Sequence, residues 1–117
     1  MFKSWEKIVS KHNELEKMMI EKNELSNNRI TEWNTKMAPL LRKEDALREK
    51  LLTCTTRERE NLENEIDTIV DEIKMLDETL NKILKKEDEV TDRIYKYMKE
   101  HLTEKELTKA KKHGWQV

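Results

Sequence analysis

The sequence predicts an all-α protein, a long antiparallel coiled-coil helical hairpin followed by a short C-terminal helix. Of the 117 residues, 42% are charged and 35% are hydrophobic, a balance typical of long helices rather than of compact globules. The chain contains one Gly and one Pro, whereas sheet proteins need these residues in their turns. Apolar residues recur alternately every three and four positions, which is the heptad spacing of a coiled coil.

Disorder is the alternative to this fold, because low hydrophobicity with high charge is also its signature. Disordered chains usually carry a large net charge and lack an apolar period. This chain has 24 basic and 25 acidic residues, and its apolar positions are periodic. We therefore expect over about three quarters of the chain to be helical. The balanced charge also argues against a nucleic-acid partner, which would require a basic face.

The first arm of the hairpin is predicted over residues 1–53 and has the less regular seam. The steps from Lys22 to Ser26 and from Ser26 to Ile30 are both four residues long. Such a stutter locally unwinds a supercoil. Pro39 lacks a backbone donor and crowds the preceding helical turn, so we expect a kink near it.

The turn is predicted at residues 53–56, where three β-branched threonines lower the helix propensity. Thr55 and Glu58 match a capping box, with which a new helix can begin. An uninterrupted helix is the alternative at this point. The second arm, residues 56–101, has the clearer seam. Its a positions are Ile66, Ile73, Leu80, Glu87, Ile94 and His101, and its d positions are Leu62, Ile69, Leu76, Ile83, Val90 and Tyr97.

The last segment, residues 103–117, is predicted to form a short helix. Thr103 and Glu106 give it a second capping box. Gly114 can end the helix because glycine adopts the left-handed conformation at this position. Two interpretations of Trp115 stay open, namely packing back on the helix or exposure as an anchor.

The register of the hairpin follows from the position of the turn. If the chain folds back at Cys54 and Thr55, the numbers of facing residues add up to about 109. Lys22 then faces Glu87, and a paired charge in a seam fixes the register better than it adds stability. An extended coiled-coil dimer is the alternative, although its parallel form offers no attractive g-to-e pair in the second arm. The predicted layers include Ile8 with His101, His12 with Tyr97, Leu15 with Ile94, Met19 with Val90, Trp33 with Leu76, Leu40 with Ile69, and Leu47 with Leu62.

One flank of the predicted hairpin is more apolar than the other. In an antiparallel pair, the e positions of both helices share one flank and the g positions share the other. The g positions of the second arm are all polar, whereas its e positions include large apolar residues. An apolar stripe wider than the seam indicates contact with a further helix. The predicted protein-binding residues are Val9, Ile30, Met37, Leu51, Val70, Leu84 and Met98, although a real stutter would move Ile30, Met37 and Leu51 into the seam.

No arrangement of side chains in the sequence has the spacing of a catalytic or metal site. A di-iron bundle would need Glu three residues before His on two helices, and this pattern is missing. His12 and His101 are interpreted as tolerated seam residues. Cys54 is the single cysteine of the sequence, so no internal disulfide can form, which suits a reducing compartment. We interpret it as a free surface thiol. We expect no catalytic residue, no metal site and no cofactor, and therefore no enzyme.

The sequence thus predicts a non-enzymatic coiled-coil structural or adaptor protein that forms homo- or hetero-oligomers with an unidentified protein partner. The alternative is a small helical-hairpin chaperone, or a stalk component of a secretion or export apparatus. No apolar run approaches the roughly 20 residues of a transmembrane helix, and no signal-peptide core is visible, so we expect an intracellular, cytoplasmic protein. The basic stretch of residues 105–113 either contacts an acidic partner or a membrane surface, or simply complements the helix macrodipole.

Overall fold

The computed structural model describes residues 2–117, with side chains from residue 5 onward. Met1, the first residue of the predicted first arm, lies outside the described residues. The chain is 91% helical, and the part described has no strand, which confirms the all-α class. The elements are α1 (Phe2–Lys11), α2 (Asn13–Glu32), a π-helical segment (Trp33–Met37), α3 (Ala38–Thr53), α4 (Thr56–His101) and α5 (Glu104–Lys112).

The predicted turn at residues 53–56 is confirmed, because α3 ends at Thr53 and α4 begins at Thr56. Cys54 has an extended backbone with φ of −75° and ψ of 159°, which interrupts the helix. The hydroxyl of Thr55 accepts a hydrogen bond from the backbone N–H of Glu58 at 3.4 Å. This bond satisfies one of the amides that a helix start leaves without a partner.

The π-helical segment Trp33–Met37 lies directly before Pro39, where the sequence predicts a kink. The backbone N–H of Ala38 bonds to the carbonyl of Trp33, five residues earlier, and the backbone stays right-handed helical through this point. A proline ring crowds the carbonyl four residues before it, and a wider turn relieves that crowding. The chain therefore passes Pro39 within a continuous helical backbone, and the kink stays a prediction.

A break that the sequence did not predict separates α1 from α2 at His12. The backbone N–H of His12 bonds to the carbonyl of Val9 at 3.1 Å, three residues earlier. The carbonyl of His12 then accepts the N–H of Glu16 at 3.0 Å, which restarts the regular helical pattern. His12 thus stands at the junction of two helices.

The chain divides into two compact units. The terminal unit comprises residues 1–26 and 85–117, and the turn unit comprises residues 27–84. Within the terminal unit, His12 contacts Tyr97 and Ser26 contacts Glu87. Residue numbers rise along one arm as they fall along the other, so the arms are antiparallel. The buried core of this unit is Trp5, Ile8, Leu15, Val90, Ile94, Met98, Leu102 and Ala110.

The turn unit is the part of the hairpin that contains Cys54 and Thr55. Its core consists of Leu47 from α3 with Ile66 and Ile69 from α4. All three are seam positions of the predicted coiled coil. The hairpin is therefore confirmed within a single chain. Five partly buried residues pack around this core: Leu40, Leu51, Leu62, Val70 and Ile73.

The short helix α5 has defined signals at both ends. Thr103 and Glu106 form the predicted capping box, with reciprocal bonds of 3.2 and 3.0 Å. Gly114 has a φ of 104°, the left-handed region that favours glycine. The N–H of Trp115 then bonds to the carbonyl of Ala110 at 3.0 Å, as in a Schellman motif. These signals fix where the helix starts and stops.

Candidate functional site

His12 connects three helices of the terminal unit. Its Nδ1 lies 3.0 Å from the hydroxyl oxygen of Tyr97 on α4, which is the layer predicted from the sequence. Its Nε2 lies 3.3 Å from Oε2 of Glu106 on α5. The ring of Tyr97 also stacks at 4.5 Å on that of His101. The histidine expected to be a tolerated seam residue therefore links α5 to the hairpin.

Glu106 has two structural roles at once. Its Oε1 accepts the backbone N–H of Thr103, and its Oε2 contacts His12. The backbone hydrogen bond from Thr103 is the main cause that lowers the pKa of the Glu106 carboxyl below its ordinary value. Burial opposes this shift, and the contacts with His12 add to it. A charged Glu106 carboxylate is therefore the form that fits this position.

The C-terminal tail contacts the hairpin through Trp115, whereas the two interpretations from the sequence are packing on the short helix or exposure as an anchor. The indole meets Tyr95 edge to face, with ring centroids 5.5 Å apart. Nζ of Lys22 lies 4.9 Å from the centroid of the Trp115 ring, a cation–π contact. Trp5 stacks on His113 at 5.7 Å nearby. Together with Lys22, these aromatic residues line a cavity of about 360 Å³.

Lys22 and Glu87, the pair predicted to fix the register, contact different residues in the structure. Glu87 is only 4% exposed and accepts a hydrogen bond from the hydroxyl of Ser26. Lys22 lies on Trp115, and the pairing of Lys22 with Glu87 stays a prediction. The residue numbers of Ser26 and Glu87 add up to four more than those of His12 and Tyr97. Ser26 follows Lys22 by one helical turn on the same face of α2, so this bond lies one turn from the predicted pair.

Two of the seven predicted protein-binding residues are strongly exposed. Ile30 is 50% exposed and Leu84 is 42% exposed, and both belong to the turn unit. Trp33, one helical turn after Ile30 and predicted to lie in the seam, is 45% exposed. These three side chains are large and apolar. Ile30 and Leu84 form the accessible part of the predicted flank, and Trp33 is their aromatic neighbour.

The other predicted flank residues pack within their own units. Met98 is 0% exposed and belongs to the core of the terminal unit. Met37 is 5% exposed, as expected if the stutter moves it into the seam. Neither side chain offers surface to a partner in this conformation. The remaining three are partly buried against the unit cores: Val9, Leu51 and Val70.

A groove between α1 and α5 is bordered by four lysines and has a volume of about 340 Å³. We call it the lysine groove, formed by Lys7, Lys11, Lys105 and Lys109. The sequence singled out the basic tail but not the lysines of α1. Their spacing of four residues was visible in the sequence, but the packing of α1 on α5 was not. Two separate basic stretches become one surface only through this packing.

Cys54 is a free thiol at the turn, partly buried, and its Sγ donates a weak hydrogen bond to the carbonyl of Leu51 at 3.5 Å. It borders a cavity of about 310 Å³. Lys50 and Glu58 are the charged residues that line this cavity with Cys54.

Within residues 2–117, no helix combines the length and the apolar character that crossing a bilayer requires. The described side chains also include no group of three or more His, Cys, Asp or Glu placed to hold a metal ion. Comparisons with protein-family models, with curated proteins and with solved structures found no match. The function is therefore argued from the surfaces of the hairpin.

Proposed function

We propose that this chain is a non-enzymatic structural or adaptor protein that binds a further helix through the e flank of its hairpin. One observation supports this function, namely the exposure of Ile30 and Leu84 on the flank predicted to bind. Fully burying a large aliphatic side chain contributes about 1.5–3 kcal/mol, and each of these is about half exposed. Covering the two side chains would therefore stabilise a complex.

The chemistry of the flank favours an amphipathic helix as the partner. An apolar stripe on a helical hairpin is extended, and it binds a helix whose apolar residues recur every three to four positions. Trp33, which is 45% exposed, adds an aromatic residue of the kind that often dominates binding energy. The helix comes either from a second copy, giving a four-helix arrangement, or from a different protein.

An intracellular, cytoplasmic location is part of this proposal. The support for it is chemical, because Cys54 is a free thiol, and free thiols persist in reducing compartments. Assembly through helices, as a homo- or hetero-oligomer, completes the proposed function.

The test compares three forms of the chain for bound partners and for mass in solution. The flank variant carries Ile30→Glu and Leu84→Glu, which place charge where a partner helix would pack. A matched control carries Leu52→Glu and Met75→Glu, since these residues are 84% and 71% exposed but lie at f and c positions, off the flank. Met98 is left unchanged because it is fully buried, and Glu there would disrupt the core itself.

We expect all three forms to have the same helical content by circular dichroism. The flank variant should lose the partner, or the higher mass, that the parent and the control retain. Equal binding by the flank variant and the parent would contradict the proposed function. A secretion ATPase captured through this flank would instead favour the chaperone or stalk alternative.

A further inference from the structure

The lysine groove brings together positive charge that the chain itself does not neutralise. Lys7 and Lys11 lie one turn apart on α1, and Lys105 and Lys109 lie one turn apart on α5. None of the four forms an ion pair with another described residue. The single carboxylate at the groove, Glu106, is already bonded to Thr103 and His12. The groove therefore has the charge of an anion-binding surface.

A complementary surface lies on the turn unit, on the outer face of α4. Glu60, Asp67, Asp71 and Glu78 are separated by seven, four and seven residues, so they follow one line along the helix, on which Lys74 is the one basic residue. This acidic stripe is about 27 Å long. All four side chains are exposed, and none forms an ion pair with another described residue. The stripe faces away from the seam, because the a and d positions lie on the opposite side of α4.

We propose that the lysine groove of one copy of this chain binds the acidic stripe of a second copy. The two surfaces have opposite charge, and their spacings match. Asp67 and Asp71 lie one helical turn apart, as do Lys7 and Lys11 on one wall of the groove. An acidic helix laid along the groove can thus meet lysines from both walls. This contact differs from the e flank, which is apolar, and it does not depend on the proposed function.

Two other anionic occupants fit the groove less well. Single-stranded nucleic acids are held partly by bases stacked on aromatic rings, and none of the residues bordering the groove is aromatic. Proteins that lie on membranes insert aromatic or aliphatic side chains beside their lysines. The apolar residue at the groove, Ile8, is 8% exposed and belongs to the core. A charged helix remains the occupant that this surface favours.

The geometry of the contact determines the kind of assembly. The groove and the stripe are different surfaces, so their contact is heterologous and joins copies into a closed ring or an open chain. Exposed ion pairs contribute little individually and are screened by salt. The assembly should therefore grow with protein concentration at low ionic strength and dissociate when salt is added.

The test measures the average mass of the full chain by sedimentation at low and high salt. The groove variant carries Lys7→Glu, Lys11→Glu, Lys105→Glu and Lys109→Glu. The stripe variant carries Glu60→Lys, Asp67→Lys, Asp71→Lys and Glu78→Lys. At low salt we expect the parent to exceed both 14.2 kDa, the mass of one chain, and its own mass at high salt, whereas each variant alone should have the same mass at low and at high salt. Mixing the two variants should restore assembly, because each reversed surface then meets its complement.

Two sets of controls make this outcome specific. The exposed lysines Lys17, Lys82, Lys96 and Lys99, changed to Glu, give the same change in net charge outside the groove and should leave assembly intact. The variant with Ile30→Glu and Leu84→Glu should keep the same salt-dependent rise in mass as the parent, whatever mass it loses at high salt, which separates this contact from the e flank. Circular dichroism checks that every variant remains helical.

Three results would overturn the proposal. The parent could stay at the mass of one chain at every concentration and salt tested. The two variants could fail to assemble when mixed while both remain helical. The groove could bind vesicles of anionic lipid in a lysine-dependent way with no association between copies, which would assign it to a membrane surface.

Discussion

Oε2 of Glu106 lies 3.3 Å from Nε2 of His12, and this contact attaches the C-terminal helix to the junction of α1 and α2. The same carboxyl group closes the capping box at the start of α5 through its other oxygen. One side chain thus both starts α5 and docks it. Changes at Glu106 should affect the local helix and its packing together.

The charge of Glu106 gives the stability of the terminal unit a pH dependence. Because the folded pKa lies below the ordinary value of 4.5, the stabilisation is fully present above that pH and is lost as pH falls through the folded pKa. Glu106→Gln keeps an acceptor oxygen for the capping box but removes the charge. We expect it to lower the free energy of unfolding by about 1 kcal/mol at neutral pH.

Denaturant unfolding of the parent and of Glu106→Gln, measured from pH 7 downward, checks this expectation. The difference between the two proteins should be constant at neutral pH and should shrink in acid. Glu104→Gln, in the same first turn of α5, is the matched control. A difference that is the same at all pH values would show that the charge of Glu106 has no stabilising role.

Tyr97 should contribute to stability through its hydroxyl group. Tyr97→Phe removes the bond to His12 and should cost about 1 kcal/mol of unfolding free energy. Tyr95→Phe should cost less, because the edge contact of Tyr95 with Trp115 involves only the ring. In a His12→Ala background the cost of Tyr97→Phe should fall, and an unchanged cost there would mean that the two residues are not coupled.

Leu15 and Ile94 are both 0% exposed and belong to one core, and the sequence predicts that they face each other. Leu15→Ala should lower the unfolding free energy by about 2–5 kcal/mol, since it leaves a cavity in a closely packed core. Ile20→Ala, on the same helix but 51% exposed, should change it by less than about 0.5 kcal/mol. Thermal and denaturant unfolding measure both values. Similar losses for the two variants would place the core face of α2 elsewhere.

Cross-linking compares the predicted pair of Lys22 and Glu87 with the observed contact between Ser26 and Glu87. The hydrogen bond between Ser26 and Glu87 places these positions side by side. In a Cys54→Ser background, the pair Ser26→Cys and Glu87→Cys should react with a short dithiol cross-linker within one chain, faster than the pair Lys22→Cys and Glu87→Cys. Faster reaction of the second pair would show that Lys22, and not Ser26, lies closer to Glu87. Cross-links found only between chains would favour the extended dimer.

Much of the fold was predictable because its signals are local or strictly periodic. Thr55 and Thr103 are capping residues recognisable from the glutamate three positions later, and both precede helices in the structure. The layer of His12 with Tyr97 followed from counting outward from the turn. Residues that face each other across the hairpin can be predicted because helical spacing is regular and both arms have the same apolar period.

The features that were missed depend on packing between segments distant in the chain. The approach of Glu106 to His12 requires α5 to fold back on α1, and no heptad pattern encodes that contact. The burial of Met98 has the same origin, because α5 and the tail cover a position that a two-helix hairpin would leave on its flank. The π-helical turn before Pro39 arises from local crowding, which a propensity scale does not resolve.

The division of the chain into two units also has a kinetic consequence. The turn unit is one continuous stretch, residues 27–84, whose core forms around a tight turn. The terminal unit joins two segments that are separated by that whole stretch. Closing so long a loop costs conformational entropy unless the intervening residues are already ordered. Folding should therefore nucleate at Cys54 and Thr55 and proceed toward the chain ends. The two arms would then pair along their length before α5 packs on them.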